Sequence, residues 1–317
     1  MNSLLTAVAI SMFLLGSSGE RAVAVEREAP PPPAAEPTVA LERVPVDVVA
    51  RVVLPWQAPR TARGPLFAAA EYRRGRKLYL LPHGCAERAE LDVVIHFHGS
   101  PKVMTKNFRE SALDAVAVVV NLGALSGPYE KAFERPGSFV NFLAGIDRDL
   151  AERCPGAKRG RVAISSWSGG YGAAYRILVD EGNDQLVDAI LFSDGLHSAL
   201  ANKLTRELKA EHLAPFTRFA KLAAKGEKLM AIAHSSIVPP AYSSTTETAD
   251  FLLRSQGGSA ERVDEAGPRD SMRLTSRGAV SGLTVLGFAG NDTDAHCDHL
   301  YAIGGTLFSQ LAQRWAR

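Results

Sequence analysis

The chain has 317 residues, 46% of them hydrophobic and 22% charged, and carries a formal net charge of +2. That is enough chain and enough apolar side chain for one α/β domain with a large core, and it excludes wholesale disorder, a collagen-like or coiled-coil fibre and a multispanning membrane protein. Basic and acidic residues nearly balance and the basic ones are scattered, so no electrostatic footprint points to nucleic acid.

Leu4 to Leu15 is an unbroken run of twelve uncharged, mostly apolar residues, long enough for the apolar part of an export signal and too short to span a bilayer as a helix. Ala22-Val23-Ala24 offers a small-residue cleavage site, so residues 1–24 are expected to be a signal peptide, although no Lys or Arg precedes the run. The competing reading is an uncleaved N-terminal anchor; after cleavage no stable membrane span is expected. Residues 25–38 contain Ala29 to Pro37 (APPPPAAEP), which holds five of the 18 prolines and reads as an extended tether. The remaining residues, 39–317, are read as one domain, secreted or periplasmic.

Alternation of Val46, Val48, Val52 and Leu54 predicts an edge strand, expected to pair with a second near Lys77 to Leu81. Six continuous apolar runs then follow: Leu91 to Phe97, Ala115 to Leu122, Val162 to Ser165, Leu186 to Phe192, Leu229 to Ala233 and Leu283 to Phe288. Runs without alternation belong to strands buried on both faces, which implies a mostly parallel sheet. Between them, Phe139, Phe142, Leu143, Ile146 and Leu150 keep helical spacing, Ser244-x-x-Glu247 forms a capping box, and Leu300, Ile303, Leu307 and Leu311 mark a terminal helix. In residues 197–228, Leu200, Leu204 and Leu208, then Phe216, Phe219 and Leu222, predict two short helices that form either a small cap over the site or an ordinary surface pair. The fold class is therefore α/β: a three-layer sandwich around a doubly wound sheet, with chemistry expected at the carboxyl ends of the strands.

After the third of these runs comes Ser166-Trp167-Ser168-Gly169-Gly170, and then a helix. A serine thrust out on a strand-to-helix turn needs small residues two before and two after it, because neighbouring backbones approach closely there. Ser168 meets that condition, with Ser166 and Gly170 at those places; Ser165 and Ser166 do not. Ser193-Asp194-Gly195 follows the fourth run, and the loop after the last run contains His296 and His299. Cys297 lies off any such turn and is not taken as a nucleophile.

This pattern resembles the α/β-hydrolase superfamily, whose elbow usually reads G-x-S-x-G and here has Ser166 in the first place. The resemblance runs from Val46 onward. It implies a serine hydrolase of esters, possible on amides too, with Ser168 as nucleophile, Asp194 as the acid, and His296 as base in a loop, His299 beginning the helix being the runner-up. Asp264 and Asp270 are substitute acids. Gly169 supplies one oxyanion N–H and Ser100 or Gly99 the other, from the His98-Gly99 turn; His98 itself is expected to be structural. Trp167 and Tyr171, flanking the elbow, are expected to touch substrate, while His197 and His234 are expected to cap helices or form the pocket wall.

The superfamily's strand order would also bring Cys85 and Cys154 together as a disulfide and leave Cys297 free. No cofactor and no metal is implied, although His96-x-His98 has the spacing to be weighed as a metal pair. The partner is a small-molecule or polymeric ester. An acyltransferase would use the same triad, and a non-catalytic binding protein could use the same scaffold.

Overall fold

The computed structural model describes Leu54, Trp56 and residues 67–316, with backbone alone for 67–70. The expected signal peptide, the expected tether and most of the strand expected over Val46–Leu54 fall outside the described residues. In chain order the elements open with β1 (Phe67–Arg74), β2 (Lys77–Pro82), β3 (Glu90–Phe97), α1 (Pro101–Glu110), β4 (Val116–Val120), α2 (Gly127–Ala132), α3 (Ser138–Arg153) and β5 (Lys158–Trp167). They continue with α4 (Tyr171–Val179), β6 (Ala189–Ser193), β7 (Leu200–Asn202), β8 (Glu207–Leu208), α5 (Ala210–Ala224), β9 (Leu229–His234) and α6 (Thr245–Ser255). The chain closes with β10 (Glu261–Ala266), β11 (Arg273–Val280), β12 (Leu283–Phe288), α7 (Thr293–Ala302), a π-helical turn (Gly304–Phe308) and α8 (Ser309–Trp315).

Ten strands form one sheet in the order β1-β2-β4-β3-β5-β6-β9-β12-β11-β10. The central six, β4 to β12, are parallel and coincide with the six apolar runs. Strands β4, β6 and β9 are buried along their whole length, which is why their sequences do not alternate. One face of the sheet is covered by α2 to α6, through residues such as Phe139, Leu143, Ile146, Phe216 and Leu252. The other is covered by α1, α7 and α8, through Met104, Phe108, Ile303, Leu307 and Leu311. This is the α/β-hydrolase fold.

Several elements differ from expectation. Strand β2 pairs with β4 on one side and on the other with β1, a strand with no apolar alternation. On the opposite edge, β10 and β11 add an antiparallel hairpin whose sequences ERVDEA and RLTSRGAV are too polar to read as core strands. The first helix expected in 197–228 is instead the β7–β8 hairpin. Asn202 Oδ1 accepts the backbone N–H of Leu204 and Thr205, making a turn that leaves Leu204 almost fully exposed. Leu200, Leu204 and Leu208 thus share a spacing of four without sharing a helix face. Arg206 anchors this hairpin to α6 through both oxygens of Glu247, the residue that completes the capping box on Ser244. The second expected helix is α5.

At the amino ends of β3 and β5, Cys85 and Cys154 are joined by a disulfide, and Arg161 grips Asp92 in a bidentate ion pair. Cys297 is free. Among the described residues, no helix is long and apolar enough to cross a membrane.

Candidate active site

Strand β5 ends at Trp167, and Ser168 follows with φ 50°, in the left-handed region that L residues seldom adopt. The turn holds because its neighbours are glycines pressed against backbone: a Cβ on Gly170 would lie 2.2 Å from the carbonyl oxygen of Phe97. One strand over, Asp194 leaves β6 with φ 44°. Gly195 beside it packs so closely on the elbow that a Cβ there would lie 2.2 Å from the Ser168 carbonyl oxygen. The acid turn and the serine turn therefore touch, main chain to main chain.

His296 arrives from a third element. The sequence placed it in a loop, but it lies in the first turns of α7, because Asp292 caps that helix by accepting the Ala295 N–H at 2.8 Å. His296 Nδ1–H donates to Asp194 Oδ2 at 2.6 Å, and Ser168 Oγ–H donates to His296 Nε2 at 2.9 Å. A carboxylate can only accept, so this contact fixes the tautomer that leaves Nε2 free to take a proton. Asp194 Oδ1 in turn accepts both the N–H and the Oγ–H of Ser235, at 2.8 and 2.9 Å. Burial alone would raise the Asp194 pKa, but the hydrogen bond from His296, the nearby His299 and the Ser235 N–H together hold this carboxyl below the usual carboxylate range.

Ser235 was not picked out from the sequence. Its sequence signal is its place: a serine directly after β9, the strand paired with the β6 strand that carries the acid. His299, the alternative base, lies one turn further along α7, fully inside the protein, with its ring against Phe288. Burial pushes its pKa down to about 4, so it stays neutral, and the Ser168 hydroxyl is on His296 instead. Asp264 lies exposed on β10, paired with Arg273, away from the site. His234 is buried beside Thr246.

Trp167 stacks between two imidazoles, with ring centroids 5.1 Å from His98 and 4.7 Å from His296, and its Nε1–H donates to the His296 carbonyl at 3.1 Å. Tyr171 packs edge-on to His197. Neither Trp167 nor Tyr171 lines the cavity beside Ser168, which measures about 340 Å³ and is walled by Ile237, Pro239, Tyr242, Asn291, Asp292 and His197. The wall thus comes from the segment after β9 and the start of α7 rather than from the elbow.

At the end of β3, His98 has φ 73° and Gly99 φ 108°, a reversal that turns this backbone over the elbow. The His98 ring lies 2.9 Å from the Tyr129 hydroxyl, in keeping with a structural role. His96 is enclosed, with Nδ1 on Ser165 Oγ and Nε2 on the His98 carbonyl. These contacts occupy both ring nitrogens of His96, and among the described residues no group of three or more His, Cys, Asp or Glu side chains could hold a metal ion. Burial raises the pKa of the Cys297 thiol, the reverse of what a reactive cysteine needs.

No protein-family model and no curated protein sequence matches the chain. Among solved structures, the chain is similar to an S-formylglutathione hydrolase from Agrobacterium tumefaciens, at 14% identity and TM-score 0.44 over 77% of this chain and 94% of that one. It is also similar to an IroE-like serine hydrolase from Shewanella oneidensis, at 12% identity and TM-score 0.42 over 77% and 79%. A third is a siderophore hydrolase from Aspergillus nidulans, at 14% identity and TM-score 0.39 over 78% and 96%. With its parallel strands in the order β4-β3-β5-β6-β9-β12 and a left-handed serine at the end of β5, the chain has the fold of the α/β-hydrolases.

Proposed function

We propose that this chain is an exported serine hydrolase that cleaves carboxylic esters by way of an acyl-enzyme. The observation that carries the reading is the unbroken chain of hydrogen bonds from Ser168 Oγ through His296 to Asp194, built on a serine held in left-handed backbone. Side chains from two strand ends and from the start of α7 meet at hydrogen-bonding distance in the order that makes a weak nucleophile reactive.

In the first half-reaction Ser168 Oγ attacks the ester carbonyl carbon while its proton passes to His296 Nε2. Asp194, kept ionised, holds the imidazole in register and stabilises the positive charge it acquires. The oxyanion is met by the Gly169 N–H and by the Gly99 or Ser100 N–H. Collapse of the tetrahedral intermediate breaks the bond to the alcohol, which leaves with the proton from His296. In the second half-reaction water gives a proton to His296 and its oxygen to the acyl carbon; the carboxylic acid departs and Ser168 recovers its hydrogen.

Export is supported by the signal-like N-terminal sequence and by the Cys85–Cys154 bridge, which a reducing cytosol would not maintain. The test is covalent. A fluorophosphonate is expected to label the wild-type chain at Ser168, and p-nitrophenyl esters are expected to be hydrolysed. A Ser168→Ala chain that still turned over every accepted ester would end the proposal.

A further inference from the structure

The cavity beside Ser168 has a definite polarity. Its charged walls are the carboxylates of Asp194 and Asp292, its imidazoles are His197 and His296, and among the described residues no Lys or Arg lines it. Asp194 and His296 are occupied with each other, which leaves His197 as the imidazole facing an incoming group, beside the polar side chains of Tyr242, Thr245, Asn291 and Thr293.

The hydrogen bonds of His197 fix what it offers. Nδ1 lies 2.8 Å from the carbonyl oxygen of Ser243, and a carbonyl can only accept, so the ring hydrogen sits on Nδ1. Nε2 is then a bare lone pair, with no hydrogen-bond partner among the described residues. Tyr171 and Tyr242 pack edge-on against the ring, at centroid distances of 5.4 and 4.9 Å, and keep it from turning over. Burial lowers the His197 pKa, so the ring remains an acceptor near neutral pH.

We propose that this cavity receives a hydrogen-bond-donating group of the ester substrate, a hydroxyl or an ammonium, on Nε2 of His197, and that it discriminates against carboxylates. The inference rests on Ser168 being the nucleophile, and it goes further by stating which side of substrate chemistry the enzyme selects. A donor completes the lone pair of His197, an apolar group leaves it unpaired, and an anion meets Asp292 with no cation to offset it.

The experiment uses four 4-methylumbelliferyl esters with acyl chains X-CH2-CH2-CO, where X is methyl, hydroxyl, ammonium or carboxylate. Propyl acetate and 2-hydroxyethyl acetate repeat the comparison on the alcohol side. The hydroxyl or ammonium ester is expected to exceed its methyl counterpart in kcat/KM by roughly tenfold in at least one series, the size of one neutral hydrogen bond, with the carboxylate ester the poorest. His197→Phe keeps an aromatic ring of similar size and is expected to bring the hydroxyl-to-methyl ratio near one. His197→Gln restores an acceptor and should recover part of the preference, which a merely structural role would not do; it also decides the matter if the Phe variant does not fold. Equal rates for methyl and donor-bearing esters in both series, a preference for the carboxylate, or an unchanged ratio in His197→Phe would each overturn the proposal. Fluorophosphonate labelling keeps the two readings apart. A wild-type chain that takes no label removes the nucleophile, whereas one labelled at Ser168 with no donor preference removes only the role of His197.

Discussion

The two ends of the central sheet are built by opposite means. At the carboxyl end, His98, Leu125, Ser168 and Asp194 all have left-handed backbone, four of the six non-glycine residues with positive φ among those described. At the amino end the strands are clamped by the Cys85–Cys154 bridge, by the Arg161–Asp92 pair and by the Asp188 carboxylate, which accepts the Val162 N–H at 2.8 Å. Each strained residue costs on the order of 1–3 kcal/mol, so the end that displays the reactive groups is maintained by stability gained elsewhere. The contrast teaches that substitutions at the two ends should separate chemistry from stability.

The sharpest test of that separation is Ser168→Ala, expected to lower kcat by about 10⁴-fold or more while leaving the denaturation midpoint close to that of the wild type. Asp194→Asn follows, with a loss of roughly 10³- to 10⁴-fold, because an amide in place of the carboxylate no longer dictates the tautomer of His296. Steady-state kinetics beside urea unfolding would check both; a large stability loss without a rate loss would erase the distinction.

Opening the amino end should do the reverse. Replacing both Cys85 and Cys154 by Ser releases a constraint across 69 residues of chain and is expected to cost roughly 2–5 kcal/mol. Ester hydrolysis well below the melting temperature should be retained, and a matching fall in kcat would show the two ends to be coupled.

Acid should act through the buried imidazoles. His299 and His96 are held neutral with pKa values pushed down to about 4 and about 3, mainly by burial. The unfolded chain therefore binds more protons than the folded one once the pH drops below the ordinary histidine value of about 6.5, and stability must fall with pH from there. For His299 alone the loss by pH 4 is roughly 3 kcal/mol. The depressed Asp194 carboxyl contributes in the same direction only below the ordinary Asp value of about 3.9. Unfolding free energies at several pH values would give the slope, and His299→Asn should flatten it.

The smallest effect is expected at Ser166, whose hydroxyl is buried without a hydrogen-bond partner among the described residues. Ser166→Ala should leave turnover within a few-fold and raise stability by at most about 1 kcal/mol, since only an unsatisfied group is lost.

Much of this was legible because the six parallel strands are buried on both faces and so appear as unbroken apolar runs. The elbow could be found because the close backbone approach restricts the residues beside Ser168. What escaped notice was set by tertiary context. Strand β10, with the sequence ERVDEA, is a strand because β11 offers it a ladder, and no apolar pattern announces that. The β7–β8 hairpin was hidden by leucines whose spacing mimics a helix, and the start of α7 by a run of turn-forming residues in which Asp292 is the cap. Ser235 went unnoticed because supporting a carboxylate takes only a hydroxyl and an N–H, which any serine brings.

The stack of His98, Trp167 and His296 also has an optical consequence. A protonated imidazole quenches the emission of an indole it touches, and of the three tryptophans only Trp167 lies on His296 among the described contacts. The protein thereby carries its own fluorophore on the very ring that would shuttle the proton, and light emitted at that indole would report, without any label, whether the shuttle is loaded.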